Sequence, residues 1–167
     1  GEKLSTSRNH AVWLHEYLAD FPGKEDELRY VLTSIMPESK DSDFSWADYQ
    51  ARVNNELVAI LGNWVNRVMV LTHKYFDGIV PSNEDQVDYD ILDAAKKLAE
   101  NTDTLIQGFK FRDALTELMG IARLGNKYLQ DTAPWHSIKE ENGEKRVQEI
   151  LNISLQLLAL FAKTSTP

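Results

Sequence analysis

Apolar residues recur three and four positions apart along almost the whole chain, and no stretch alternates cleanly at two, so the pattern predicts helices throughout. Val12, Trp13, Tyr17 and Leu18 form a first short helix, stopped by Pro22-Gly23, and Leu28, Val31, Leu32 and Ile35 form a second, closed by Pro37. Residues 38–45 are a polar connection and the clearest internal boundary, with Ser45 placed to cap the next helix. From Trp46 to Phe76 runs the longest periodic segment, with Trp46, Tyr49, Val53, Leu57, Ile60, Leu61, Trp64, Val68, Leu71 and Tyr75 on one stripe, ended by Asp77-Gly78 and Pro81. Another helix is expected over about residues 85–107 on Val87, Ile91, Leu92, Ala95, Leu98, Leu105 and Ile106, broken by Gly108. The next uses Phe111, Leu115, Leu118, Met119, Ala122 and Tyr128 and stops before Ala133-Pro134-Trp135. After a polar turn at Asn142-Gly143, the last helix is apolar on nearly every side from Ile150 to Phe161, which suits the centre of a bundle. The fold predicted is all-α: an antiparallel four-helix bundle over 45–167 behind a short helical segment over 1–44.

Composition narrows the class. A chain of 167 residues is one domain of ordinary size, or one and a small appendage, and 4 Trp, 6 Tyr and 6 Phe supply a core. No cysteine is present, which removes disulfides and thiolate metal sites, and without a leading apolar segment the expected compartment is cytoplasmic. The longest apolar run, Leu157 to Ala162, is far short of the roughly 18 residues that would span a bilayer. No membrane partner and no metal are expected.

The net charge of -8 argues at first against a polyanionic partner, but it is unevenly spread. Residues 1–50 hold 5 basic against 10 acidic side chains and residues 81–105 hold 2 against 7, whereas 51–80 hold 3 against 2 and 106–136 hold 4 against 3. Contact with RNA is therefore expected from 51–80 and 106–136, and DNA is not an expected partner.

Few chemical motifs survive inspection. His10, His15, His73 and His136 include no pair at the spacing of a zinc helix, and no glycine-rich phosphate loop, dinucleotide fingerprint or nucleophile elbow occurs. Asp41 with Asp43, and Asp88 with Asp90, fall in polar segments where solvated charge explains them. The long helix is more informative: Asn63 and Arg67 stand one turn apart on a face that borders the apolar stripe. An arginine there either snorkels outward to pair with Glu56 or a neighbouring acid, or joins a planar amide in a fork of donors suited to the edge of an unpaired base. Trp135, after Pro134 at a helix end, is either a lid on the core or a platform for a base. Spacing alone leaves both alternatives open.

The stretch DFSWADYQARVNNELVAILGNWVNRVMVLTHKYF, followed by FKFRDALTELMGIARLGNKYLQDTAPW, resembles the helical anticodon-binding domain of methionyl-tRNA synthetases. The leading segment GEKLSTSRNHAVWLHEYLADFPGKEDELRYVLT is similar to the part that precedes that domain in the family, the Lys-Met-Ser-Lys-Ser loop and its connecting piece, so the resemblance covers the whole chain. It implies that Asn63 and Arg67 face the CAU anticodon of methionine tRNA, that Trp135 packs against an anticodon base, that Pro134 shapes that corner and that Asn66 assists from an adjacent face. Trp64 and Tyr128 are expected as core or corner packing rather than as contacts.

By the same resemblance Lys3, Ser5 and Ser7 belong to the loop that closes over ATP phosphates during methionine activation. Thr6 departs from the pattern, since the family has a second lysine there, and a hydroxyl offers a hydrogen bond where an ammonium offers a full charge. The nucleotide-binding catalytic domain is expected upstream of Gly1 in the parent enzyme, an ATP-dependent methionine-tRNA ligase. The chain alone is then expected to be non-catalytic, without ATP or metal of its own, and to expose apolar surface on its leading segment and last helix where parent contacts are missing. Two other readings remain: the anticodon-binding domain of a sister leucyl, isoleucyl, valyl or cysteinyl enzyme, or a helical protein-interaction module without RNA.

Overall fold

The computed structural model describes residues 11–38, 41–82 and 88–166, and among them the secondary structure is helical with no strand. Two short helices lead: α1 (Leu14–Asp20) and α2 (Glu25–Ser34). Then come α3 (Trp46–Arg52), a π-wound stretch Val53–Gly62, and α4 (Asn63–Phe76) without a break, so the long periodic segment is one rod with a change of winding inside it. The remaining helices are α5 (Tyr89–Gln107), α6 (Phe111–Thr132), the short α7 (Pro134–Ser137) and α8 (Gly143–Thr164). Ser45 caps α3 as expected, its hydroxyl accepting from the Asp48 N–H at 3.1 Å. The rod ends at Asp77 and Gly78, both at positive φ, with the Gly78 N–H returned to the Thr72 carbonyl at 3.3 Å.

Contacts between helices set their directions. Leu98 lies against Gly120 and Asn101 bonds Glu117, so α5 and α6 are antiparallel; Trp64 meets Phe161 and Asn152 bonds the Pro81 carbonyl, so α4 and α8 are antiparallel. Asn63 bonds Asn126 and Arg67 bonds Gln130, two pairs that advance in step, so the rod and α6 run parallel in an up-down bundle. The core they enclose contains Trp64, Val68, Leu92, Ala95, Ile121, Ala122, Tyr128, Leu129, Ile150, Ile153 and Leu157. Trp64 and Tyr128 are thus packing residues, as expected, and α8 is the central helix.

Three expectations change. The last helix does not expose large apolar residues: those of α8 are buried or partly buried against the other helices, while the exposed ones include Phe21, Leu32 and Trp46 before or at the start of the rod and Met69, Val70, Ile79 and Val80 near its end. Asp88 is not a solvated carboxylate. It accepts from the Tyr128 hydroxyl at 2.8 Å and from the Arg146 guanidinium at 2.6 Å, and Arg146 also bonds Glu149 at 3.1 Å, which ties the start of α5 to α6 and α8. The helix expected from residue 85 begins at Tyr89, and Val87 lies outside the described residues.

The leading helices pack on the bundle. The Glu38 carboxylate accepts from the Arg112 N–H at 2.8 Å and so caps the first turn of α6 from outside, and Tyr30 on α2 donates to Glu56 on the π-wound stretch. No helix is long and apolar enough to cross a membrane among the described residues.

Candidate nucleic-acid interface

Asn63 opens α4 where π winding gives way to α winding, and Arg67 follows one turn later. Opposite them on α6, also one turn apart, stand Asn126 and Gln130. The Asn63 amide donates to the Asn126 side-chain oxygen at 3.5 Å, and the Arg67 guanidinium donates to the Gln130 side-chain oxygen at 3.4 Å. Both bonds are long, so they orient their partners more than they bind them. Asn126 is held more firmly: its amide N–H2 donates to the backbone carbonyls of Ile60 at 2.8 Å and Ala122 at 3.2 Å.

Beneath this polar ladder the two helices meet at Gly125 and Trp64. A Cβ at Gly125 would lie 2.2 Å from Trp64 Cε2, so only glycine admits the fully buried indole between the helices. The indole N–H finds no acceptor among the described residues, which leaves shape as the basis of the contact.

The third element arrives from the end of α6. Ala133 takes a left-handed conformation, φ 40 and ψ 61, and Pro134 then starts α7 with its φ already fixed. Pro134 is buried, and the Ser137 hydroxyl bonds the Thr132 carbonyl at 3.0 Å, so the corner is rigid at both ends. Behind it, a Cβ on Gly143 would sit 2.0 Å from the Ser137 carbonyl oxygen, a close approach that seats α7 on the start of α8. The corner delivers Trp135, partly exposed, beneath Arg67, whose guanidinium carbon lies 5.1 Å from the ring centroid. That is within cation-π range.

Of the alternatives open from spacing, Arg67 does not pair with Glu56, which is engaged by Tyr30 and Arg52. Trp135 is partly exposed and does not belong to the core cluster or to the partly buried residues packed against it. The structure brings Asn63, Arg67, Trp135 and Pro134 together at one seam; Asn66 is exposed one face away, bordering with Asn63 an open groove that passes Tyr30, Leu57 and Phe161. Lys3, Ser5 and Ser7 lie outside the described residues. Asn126 and Gln130 are functional candidates that sequence reasoning misses, although their four-residue spacing repeats that of Asn63 and Arg67.

Chemically, the seam offers a planar stacking surface, a guanidinium and two amides. Among the described residues its one cation without a carboxylate partner is Arg67, since neighbouring Lys127 is paired with Asp131. Such a set suits a flat, polar, aromatic ligand better than a phosphate chain. Among the described residues no cluster of His, Asp or Glu could hold a metal ion.

Comparison with known proteins bears on the family of the chain. A family model described as the anticodon binding domain of methionyl tRNA ligase matches residues 79–167, and one described as tRNA synthetases class I (M) matches residues 1–69. The methionine--tRNA ligase of Bacteroides fragilis is 57% identical over 169 residues and that of Phocaeicola vulgatus 58% over 170, in each case across 100% of this chain and 25% of the relative. The chain therefore spans about a quarter of the length of the curated relatives it matches. Among solved structures, Mycobacterium tuberculosis methionyl-tRNA synthetase in complex with methionyl-adenylate superposes with a TM-score of 0.87 at 26% identity, over 98% of this chain and 33% of that one.

Proposed function

Because the chain belongs to the methionyl-tRNA synthetase family, in its anticodon-binding domain, we propose that the seam between α4, α6 and α7 reads the CAU anticodon of methionine tRNA. The observation that carries the reading is Arg67 held 5.1 Å over the Trp135 ring with Asn63 one turn away. A splayed anticodon base stacks on the exposed part of Trp135 while Arg67 and Asn63 address its edge, and Pro134 fixes the corner. Asn66 meets the neighbouring nucleotide from the adjacent face.

Within a parent methionine-tRNA ligase, this domain binds tRNA so that an upstream catalytic domain can use ATP to activate methionine and transfer it. Lys3, Ser5 and Ser7 then contribute to the loop over the ATP phosphates, with residues 1–44 as the connecting unit and 45–167 as the binding unit. A cytoplasmic location follows from that role in translation. The family assignment favours methionine over a sister amino acid, and it gives the acidic surface of α5 no need of a protein partner.

The test is a titration of the parent enzyme with methionine tRNA and with the same tRNA carrying a changed anticodon. The native anticodon is expected to bind more tightly, and Trp135→Ala to remove about 1 to 3 kcal/mol of that affinity, the usual worth of one base stacked on an aromatic ring. Equal affinity for both tRNAs would refute the proposal.

A further inference from the structure

Asn126 has the means to decide how the site presents itself. An amide has two faces, a carbonyl that accepts and an N–H2 that donates, and which one points outward at Asn63 determines what kind of base edge it can meet. For Asn126 itself the choice is dictated chemically. Its nitrogen lies 2.8 Å from the Ile60 carbonyl oxygen and 3.2 Å from that of Ala122, and the reversed amide would set oxygen against two oxygens. The Asn126 oxygen must therefore face Asn63. Since that oxygen only accepts, Asn63 turns its N–H2 inward, at 3.5 Å, and its own carbonyl toward the open side. Gln130 acts in the same sense on Arg67, accepting one of its N–H groups at 3.4 Å and leaving others directed outward.

We infer that Asn126 is a positioning residue for base specificity: by holding the Asn63 carbonyl outward beside the Arg67 donors, it makes the site complementary to cytosine. Cytosine presents an amino donor next to two acceptors, the match to an acceptor next to donors. Uracil carries a carbonyl in place of the amino group and meets the Asn63 oxygen with its own. Adenine has no second acceptor in line, and guanine offers its acceptor where an acceptor already stands. The inference rests on the anticodon reading above, and it concerns the first base of CAU.

The experiment uses the parent enzyme and anticodon stem-loops that differ at the first anticodon base: cytosine, uracil, or 2-pyrimidinone, which is cytosine without its amino group. The wild type is expected to prefer cytosine over 2-pyrimidinone by about tenfold, the effect of removing one well-placed hydrogen bond to a base edge. In Asn126→Ala the Asn63 amide is free to turn, and that ratio is expected to fall toward one while binding of 2-pyrimidinone changes little. Asn126→Ser, whose hydroxyl bonds its own helix and tolerates the position, is expected to do the same and serves where alanine costs the fold. A purely structural Asn126 would weaken all three loops alike and leave the ratio intact, which would overturn the inference. So would a wild type that binds 2-pyrimidinone as well as cytosine. Indifference of the wild type to a wholly changed anticodon would instead overturn the broader reading of the site.

Discussion

Gly125→Ala adds one methyl group at the contact on which the seam depends. Its carbon would fall 2.2, 2.4 and 2.5 Å from Trp64 Cε2, Cζ2 and Nε1. The indole is fully buried and braced edge-on by Phe161 at 6.1 Å, so it has no open space to turn into. Restoring ordinary carbon contacts of about 3.5 Å requires α4 and α6 to part locally by about 1 Å. Two effects then compete. Alanine in a helix interior is favoured over glycine by about 1 kcal/mol, and overpacking of a core typically costs about 1 to 3 kcal/mol. With a rigid, enclosed ring as the obstacle, overpacking wins, and a net loss of about 1 to 2 kcal/mol is expected, or about 2 to 8 °C in the Tm of the transition in which a unit of this size unfolds within the parent. The same displacement breaks the 3.4 and 3.5 Å bonds across the seam, so anticodon-dependent affinity should fall as well. The control is Gly120→Ala on the same helix, where the new carbon would lie 3.4 Å from the mobile methyls of Leu98. There the helix propensity should prevail and Tm should hold or rise. Thermal unfolding of both variants in the parent enzyme, followed by near-UV circular dichroism and paired with tRNA titration, reads both effects. A Gly125→Ala protein as stable as Gly120→Ala would refute the reasoning.

At the corner, Ala133 sits at φ 40, which costs a residue with a Cβ roughly 1 kcal/mol; Ala133→Gly should match or exceed the wild type in denaturant unfolding, and Ala133→Val should fall below it. Burial first, and then a hydrogen bond to Asp88, raise the Tyr128 hydroxyl above its ordinary pKa, and Tyr30 is raised by burial and its bond to Glu56. The unfolded chain therefore releases these protons first, so stability is full below about pH 10 and declines as pH rises beyond it; Tyr128→Phe should flatten that alkaline decline in urea midpoints measured from pH 8 to 11. Because Arg67 is the seam's one cation without a carboxylate partner among the described residues, the affinity ratio between native and changed anticodons should shift by less than about threefold between 50 and 200 mM salt, the effect of a single released counterion on single-stranded RNA. A ratio that collapses over this range would point to phosphate contacts instead.

Much of the fold was legible because it rests on local rules. Helix starts and stops followed Ser45, Asp77-Gly78 and Asn142-Gly143, each a position where capping or left-handed backbone has a chemical cause, while α5 stops at Gly108 with the left-handed turn falling one residue later, at Phe109. The apolar stripe of the long rod was visible too, but its change to π winding over Val53–Gly62 was not, since a few degrees per residue alter no residue type. Asp88 misled for a different reason. Neighbouring polar residues suggest solvent, whereas its partners Tyr128 and Arg146 lie 40 and 58 positions away and enter only through packing.

The site shows the same division more sharply. Asn63 and Arg67 share a face by helix geometry alone, so half of the seam follows from their spacing. The other half depends on register between two helices: Asn63 to Asn126 and Arg67 to Gln130 are both separations of 63 residues, the mark of parallel helices advancing in step. A shift of one residue in either helix rotates its side chains by about 100° and would undo both pairs at once. Gly125 prevents that shift, because Trp64 fits against α6 only where a Cβ is missing. On the proposed reading, specificity at the surface and closeness in the core are set by adjacent residues, Asn126 and Gly125, with opposite demands: one must carry a side chain that donates and accepts, the other must carry none. A substitution in the core can on this account change base recognition without touching RNA, and it does so through the distance between two helices rather than by removing a side chain that meets the anticodon.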